Sequence, residues 1–134
     1  MTKKKILSKT DILSANDLIR EEVEVPEWGG TVIVRAFTAD AKDAMEFKLY
    51  QMSQKLGVGV RAAYVGLALV DDNGQRLFED DEIPMLGTKF AGAVDRVFEV
   101  VSRLNRITDK DVKDLEKNSA AAPQGGLPSD SASD

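Results

Sequence analysis

The side chains best suited to chemistry are the carboxylates of residues 79–82, which read Glu-Asp-Asp-Glu. Adjacent carboxylates can bind magnesium or act as general acid and base. The sequence places neither a basic partner nor a phosphate-cradling loop beside them. They are therefore interpreted as the solvated first turn of a short helix, with Pro84 near its start and Gly87 just past its end.

A second acidic cluster invites comparison with a calcium-binding EF-hand loop. Asp71, Asn73, Gly74 and Asp80 would occupy positions three, five, six and twelve of that loop. Leu69 would then fall at position one, where its side chain has no oxygen to bind calcium. Asp80 is also shorter than the glutamate usual at the end of the loop. The segment is instead predicted to form a tight turn or a small hairpin, with a type I′ turn because both Asn73 and Gly74 tolerate positive φ.

The chain contains no cysteine and no histidine. Their absence excludes disulfides, thiolate nucleophiles, zinc sites of the usual kind and imidazole acid–base catalysis. No other residues in the sequence combine into a catalytic set. We therefore expect a protein that is not an enzyme and that uses no cofactor and no metal ion.

The charge and the apolar pattern bear on the partners. Lys plus Arg number 18 against 23 Asp plus Glu, which gives a net charge of -5, the wrong sign for holding a phosphate backbone. No apolar stretch approaches the ~18–20 residues of a membrane span, and the basic start is not followed by the apolar segment of a secretory signal. We expect no nucleic acid partner, no membrane partner and no classical secretion.

The composition indicates one folded domain with two loose ends. The length of 134 residues fits a single domain of the usual ~100–150 residues, and 43% hydrophobic with 31% charged residues is a globular composition. Residues 1–9 are basic and polar and are predicted to be flexible. Residues 119–134 are almost entirely Ser, Ala, Pro, Gly and Asp and are predicted to be a disordered low-complexity tail. The folded domain is placed at residues 10–118.

The first half of that domain begins with a predicted β-hairpin. Residues 22–25 and 31–35 alternate between polar and apolar on either side of a Gly29-Gly30 turn. Pro26 has no N–H to donate, so the first strand should end there or lie at a sheet edge. Residues 10–19, upstream, are predicted to include a short helical turn.

Helices are predicted for most of the remaining chain. Thr38 is the expected N-cap of a helix to about Leu56. Residues 60–70 carry one charge and predict a helix covered nearly all round, either centrally or against another copy, with the central position favoured. The valines of this segment would also allow a buried strand, but its length and its alanines favour the helix. A third helix is predicted from Thr88, and a last one from Thr108. The fold class is therefore α+β, an N-terminal β-hairpin followed by a predominantly α-helical body.

Within these helices the sequence predicts apolar stripes and polar pairs. The first helix has its stripe at Ala41, Met45, Leu49, Met52 and Leu56, and the third at Phe90, Val94, Val97, Phe98, Val101 and Leu104. Glu99 and Arg103 are spaced for an i,i+4 ion pair. Thr108 and Asp111 approximate a capping box at the start of the last helix.

Three aromatic residues are the candidates for protein binding. Phe47 and Tyr50 fall on the side of their helix opposite the apolar stripe. Two interpretations are open for them: they pack under the hairpin or a loop, or they form a contact with another subunit or a partner. Trp28, at the predicted hairpin tip, either contacts a partner or folds back over the hairpin. We assign Phe47 and Tyr50 to self-association and Trp28 to a partner contact.

The order of several short segments resembles the tail assembly chaperones of long-tailed, siphophage-type bacteriophages and prophages. The segments that carry the resemblance are residues 11–18, 22–30, 32–35, 67–74, 77–78, 94–98, 104–105 and 117–118. Together they span most of residues 11–118. Residues 39–60 match least, so the roles of Phe47 and Tyr50 rest on the residues alone.

The resemblance implies a non-enzymatic assembly factor that acts in the host cytoplasm during infection and is absent from the mature virion. Such a factor binds the tape measure protein and helps tail tube subunits assemble around it, and the family tends to form homo-oligomers. The alternative is a structural minor tail or head-completion protein that stays in the virion.

The family is often made in two lengths by a ribosomal frameshift, with the longer form carrying a domain that binds the tail tube protein. This chain is expected to be the short form. Residues 116–118, Glu-Lys-Asn, can be encoded as an A-rich slippery run.

Overall fold

A three-stranded antiparallel sheet and a group of helices make up the computed structural model, which describes residues 5–121. The elements in chain order are α1 (Lys9–Ser14), β1 (Arg20–Val25), β2 (Gly30–Arg35), α2 (Ala39–Leu56), α3 (Val60–Ala68), β3 (Leu69–Val70), α4 (Ala91–Asn105) and α5 (Asp109–Ala121). Two 3₁₀ helices, Pro26–Trp28 and Asp80–Thr88, join β1 to β2 and precede α4. The predicted α+β class, a hairpin followed by a mainly helical body, is confirmed.

The hairpin has the predicted strands. β1 and β2 pair antiparallel, from Arg20 opposite Arg35 to Val25 opposite Gly30. Pro26 ends β1, as expected, and begins the 3₁₀ turn that carries Trp28. Gly29 closes this turn at φ 78°, a left-handed conformation that favours glycine. The sheet order β1-β2-β3 leaves β1 at an edge.

The helix α3 lies at the centre of the fold. All of its residues except Arg61 are buried, which confirms the predicted central position. The prediction that the helix continues through Leu69 and Val70 was wrong, because these two residues form β3 and pair with Val34 and Ile33 of β2. Pairing at the edge of the sheet satisfies their backbone groups in place of further helical hydrogen bonds.

The helix α2 begins and ends where the sequence predicts. The Thr38 hydroxyl accepts a hydrogen bond from the backbone N–H of Ala41 at 3.0 Å. The stripe residues Met45, Leu49 and Met52 are buried against the core. The stripe is no longer buried at its C-terminal end, where Leu56 is exposed.

The helix α4 begins three residues later than predicted. Thr88 ends the preceding 3₁₀ helix, and its hydroxyl donates to the Met85 carbonyl at 2.7 Å. The chain then takes an extended conformation at Lys89 before α4 starts at Ala91. Phe90 was therefore wrongly placed on the buried stripe: it lies outside the helix and 63% of it is exposed.

One of the two polar pairs predicted for α4 and α5 is present. Thr108 and Asp111 form the predicted capping box, with hydrogen bonds of 2.9 and 3.1 Å. The predicted ion pair between Glu99 and Arg103 was wrong, because the Arg103 guanidinium bonds Glu21 of β1 instead. Strand β1 packs beside α4 and brings this carboxylate within reach.

The turn after β3 is not of the predicted type I′. Gly74 has φ 83°, but Asn73 does not have the positive φ that a type I′ turn needs. The Asp71 carboxylate accepts hydrogen bonds from the backbone N–H groups of Asn73 and Gln75, at 2.8 and 2.9 Å. A tight turn is nevertheless present, closed by hydrogen bonds from the Gly74 N–H to the Asp71 carbonyl at 2.9 Å and from the Asp71 N–H to the Gln75 carbonyl at 2.8 Å, with Gly74 alone in the left-handed region.

The structure describes only part of the predicted flexible start and disordered tail. Residues 1–4 and 122–134 lie outside the described residues, and with them four of the nine residues of the predicted flexible start and most of the predicted disordered tail. Ser8 caps α1 through a capping box with Asp11, and α5 extends to Ala121. The predicted short helix upstream of the hairpin is present as α1.

Candidate functional site

An apolar groove opens between the tip of the hairpin and the Asp80–Thr88 helix. It has a volume of about 320 Å³. Its lining residues are Trp28, Val32, Leu69, Leu77, Phe78, Met85, Leu86 and Lys89. We call it the Trp28 groove. Seven of its eight lining side chains are apolar, which suits the groove to apolar groups of a ligand or partner.

Five segments of the chain meet to form the Trp28 groove. The 3₁₀ turn after β1 supplies Trp28, and the two neighbouring strands β2 and β3 supply Val32 and Leu69. The backbone N–H of Leu77 donates to the Leu69 carbonyl at 3.1 Å, which holds the segment after the turn against the sheet. Met85 and Leu86 project from the second 3₁₀ helix, so the groove exists only when sheet and helix are packed together.

The rim of the groove exposes large apolar side chains. Met85 is 62% exposed and Leu77 is also exposed, while Leu86 lies buried at the base. Phe90, one residue beyond the lining residue Lys89, is exposed as well. Contiguous apolar surface of this kind marks sites of protein interaction, and methionine adapts its shape to different partners.

Trp28 combines the two arrangements considered for it from the sequence. It is half-buried and packs against the hydrophobic core, so in part it folds back over the hairpin. Its remaining surface lines the groove. As the chain's one tryptophan, it would report on anything that enters the groove. Its assignment to a partner contact stays a prediction.

An ion pair fixes the turn that carries Trp28. The carboxylate of Glu27 is bonded by two nitrogens of the Arg96 guanidinium, one of them at 2.7 Å, in a bidentate pair. The hydrogen bonds from Arg96 lower the pKa of Glu27 to about 2, and the same pair raises the pKa of Arg96. The pair between Arg103 and Glu21 ties β1 to α4 through one hydrogen bond.

Phe47 and Tyr50 lie elsewhere on the molecule. Phe47 is 66% exposed and Tyr50 is half-buried, and neither lines the Trp28 groove. The structure therefore does not bring these two residues together with Trp28. Their predicted place off the apolar stripe of α2 is confirmed, while their role in self-association stays a prediction.

The acidic residues 79–82 have basic partners that the sequence did not place beside them. Asp80 is paired with Lys48 of α2 at 3.1 Å and with Arg76 at 2.8 Å. Burial opposes ionisation of Asp80, but the hydrogen bonds from Arg76 and Lys48 outweigh it and lower the pKa. Glu79 and Glu82 close a capping box at the start of the second 3₁₀ helix.

Neither a metal site nor a membrane span is found within residues 5–121. No three acidic side chains in this part of the chain converge to hold a metal ion. Its helices are too short or too polar to cross a bilayer. The carboxylates of the predicted clusters instead act in turns, caps and ion pairs, as the Asp71 and Asp80 contacts show.

Sequence reasoning missed Asn105, the one polar residue buried in the described core. It lies four residues after Val101, at a stripe position of α4, and its side chain bonds the backbone of Arg35, at the end of β2, and of Phe37, in the connection to α2. A polar residue on an apolar stripe was the pattern that could have identified it.

Comparisons with protein-family models, with curated proteins and with solved structures give no match to this chain. The functional conclusion therefore depends on the geometry of the Trp28 groove and on the resemblance found in the sequence.

Proposed function

We propose that the protein is a non-enzymatic tail assembly chaperone, which binds the tape measure protein of a long-tailed phage and helps tail tube subunits assemble around it. The observation that carries the proposal is the Trp28 groove with its exposed apolar rim. The resemblance of several segments within residues 11–118 to that family supports the choice of partner. The site of action would be the host cytoplasm, and the protein would leave before the virion matures.

The groove suits a client that presents apolar side chains from a helix. A helix lays one apolar face into such a groove, with anchors three, four and seven residues apart. An apolar cavity of about 150 Å³ holds one benzene-sized group, so about 320 Å³ accepts roughly two aliphatic side chains. Lys89 is the one cation among the lining residues and can pair with a carboxylate of the client.

The charge of the chain supports the same role. A net charge of -5 repels nucleic acid, which is abundant where phage particles assemble. An apolar binding surface on an acidic body therefore favours protein clients over viral DNA. The tail tube protein would be reached through the longer, frameshifted form, and Phe47 and Tyr50 would contribute to contacts between copies.

The test is co-expression with the tagged tape measure protein of the same phage. The wild-type chain should increase the soluble fraction of that partner and remain with it through purification. Met85→Glu, a change at the exposed rim, should abolish the co-purification. Leu56→Glu makes a matched change at the end of α2, outside the groove, and should leave it intact.

Two outcomes would contradict the proposal. The first is a partner that stays insoluble and unbound even when the longer form is supplied. The second is persistence of this chain in purified virions, which would favour the structural minor tail or head-completion protein. Far-UV circular dichroism of Met85→Glu would establish that the variant is folded.

Entry of a client segment should also shift the fluorescence of Trp28 to shorter wavelength.

A further inference from the structure

A second cavity adjoins the Trp28 groove. It has a volume of about 240 Å³ and lies where the starts of α3 and α4 meet the end of the second 3₁₀ helix. Leu86 and Lys89 line both cavities, so the two are neighbours across these residues. Glu116 of α5 also lines the second cavity. The last helix therefore passes close to the Lys89 side of the Trp28 groove.

The described part of the chain ends near the groove. From Glu116, α5 continues only to Ala121, which is about 7.5 Å at roughly 1.5 Å per residue. Residues 122–134 follow, and we call them the C-terminal tail. At roughly 3.3 Å per residue, an extended chain covers up to about 20 Å between Ala121 and Leu127. Leu127 can therefore reach the Trp28 groove of its own copy.

The C-terminal tail has one large aliphatic side chain and no basic one. Leu127 is followed directly by Pro128, and the first charged residue after them is Asp130. The other charged residue is Asp134. The remaining residues are small or polar, apart from a second proline close to α5. Leu127 and Pro128 are thus the groups that this segment can bury, and its charge is negative.

The Trp28 groove matches this sequence in size and in charge. It has room for roughly two aliphatic side chains, which Leu127 and Pro128 would fill. Lys89 is the one charged residue of its lining, and its exposed side chain forms no ion pair within residues 5–121. Asp130 lies three residues after Leu127, up to about 10 Å along an extended chain, so its carboxylate can reach Lys89. The lining therefore favours an acidic segment with a single aliphatic anchor.

We propose that the C-terminal tail docks in the Trp28 groove of its own copy, with Leu127 and Pro128 in the apolar part and Asp130 paired with Lys89. The groove would then be covered until a client with more apolar anchors displaces this segment. The displacement rests on the proposed function, whereas the docking itself does not.

Attachment to the same chain makes a weak contact sufficient. One buried leucine and one exposed ion pair give a separate peptide only a low affinity. A short tether raises the effective concentration of the C-terminal tail at the groove into the millimolar range. The groove is therefore covered at every protein concentration, and the cover still gives way to a client that buries several side chains.

The first test follows the fluorescence of Trp28, the one tryptophan of the chain. Leu127→Ser should uncover the groove, shift the emission of Trp28 to longer wavelength and increase its quenching by acrylamide. Gln124→Ser changes the same C-terminal tail at a position without an anchor, so it should leave both readings unchanged. The wild-type readings should not depend on protein concentration, because the two contacting parts belong to one copy.

The second test adds a peptide of residues 122–134 to the Leu127→Ser chain. The peptide should bind and return the emission of Trp28 to its wild-type position. Leu127→Ser in the peptide should weaken binding by about tenfold or more, and Asp130→Asn by about fivefold or less. The wild-type chain should bind the same peptide several-fold more weakly, because its own C-terminal tail competes.

An exchange of charges tests the pair between Asp130 and Lys89. In the Leu127→Ser chain, the added change Lys89→Asp should weaken binding of the unchanged peptide. A peptide with Asp130→Lys should bind this variant more tightly than the unchanged peptide does. Lys89 is exposed, and far-UV circular dichroism would establish that the variant is folded.

Three results would overturn the proposal. The first is Trp28 emission and quenching that are the same in Leu127→Ser and in the wild-type chain. The second is a peptide that does not bind the Leu127→Ser chain. The third is emission that changes with protein concentration together with a dimeric mass in light scattering, which would place the C-terminal tail on a second copy.

The docking and the chaperone function fail separately. Leu127→Ser should retain the tagged tape measure protein several-fold more strongly than the wild-type chain, because nothing competes for the groove. Shifted emission without any co-purification would leave the docking intact and remove the chaperone function. Co-purification with unchanged emission would do the reverse.

Discussion

The side-chain oxygen of Asn105 accepts a hydrogen bond from the backbone N–H of Phe37 at 2.7 Å. The side-chain nitrogen of Asn105 donates to the carbonyls of Arg35 and Val101, at 3.3 and 3.2 Å. Asn105 is only 8% exposed, so these bonds satisfy its amide inside the protein. One side chain at the end of α4 therefore fixes the connection from the sheet to α2.

Replacement of Asn105 by Leu should strongly destabilise the fold. It leaves the buried N–H of Phe37 without an acceptor, which costs about 1–3 kcal/mol, and removes two further hydrogen bonds. Urea unfolding should show the loss as a lower midpoint with an unchanged slope. Gln75→Ala, at an exposed position, should stay within about 0.5 kcal/mol of the wild-type chain. Equal stability of the two variants would contradict the role given to Asn105.

The pair between Glu27 and Arg96 should make stability depend on pH. The pKa of Glu27 is about 2 in the folded protein and 4.5 ordinarily, so the unfolded chain binds the proton more tightly. The contribution of the pair is therefore fully present above about pH 5 and is lost as the pH falls from 4.5 toward 2.

The measurement is the urea midpoint of the wild-type chain and of Glu27→Gln between about pH 6 and pH 2.5. Other carboxylates also titrate in this range, so the difference between the two proteins isolates Glu27. The wild-type midpoint should fall more steeply than that of the variant. Parallel curves would show that Arg96 does not perturb Glu27. Salt should reduce the difference, because the pair lies near the surface.

Gly66 should tolerate no side chain, although alanine is the better helix former. A Cβ atom at this position would lie 2.6 Å from Cγ1 of Ile83, which is fully buried. Gly66→Ala should destabilise by about 1–3 kcal/mol through overpacking between α3 and the second 3₁₀ helix. Gly87→Ala is the matched control, since no atom lies within 4 Å of its added Cβ.

A double-mutant cycle would identify Ile83 as the cause. Gly66→Ala combined with Ile83→Ala should cost less than the sum of the single changes, by about 0.5–3 kcal/mol, because the new methyl group occupies space that Ile83 leaves. Additive losses would indicate that the clash lies elsewhere.

Truncation of Leu49 should destabilise the fold and truncation of Phe47 should not, although both are large apolar residues of α2. Leu49 is buried, so Leu49→Ala should cost about 2–5 kcal/mol. Phe47 is exposed, so Phe47→Ser should stay within about 0.5 kcal/mol of the wild-type chain when both are monomeric. Thermal unfolding at low concentration compares them. Similar losses for both would mean that Phe47 is covered in the folded monomer.

Most of the secondary structure could be predicted because its causes are local. Thr38 and Thr108 cap their helices through residues three positions away, and the alternation of residues 22–25 and 31–35 lies within one hairpin. Where the predictions failed, a more distant or a competing contact decided the outcome. Leu69 paired with Val34, Arg103 bonded Glu21, and Asp71 took the backbone N–H groups that determine the turn.

The sequence by itself determined the α+β class, the position of Phe47 off the apolar stripe of α2 and the lack of histidine and cysteine chemistry, since composition and periodicity act over a few residues. Only the tertiary structure decided the Trp28 groove, the anchoring of Glu27 by Arg96 and the burial of Asn105. Each of these joins residues that lie tens of positions apart along the chain. Such contacts form only when packing of the sheet on the helices brings distant segments together. A pattern within one segment therefore does not predict them.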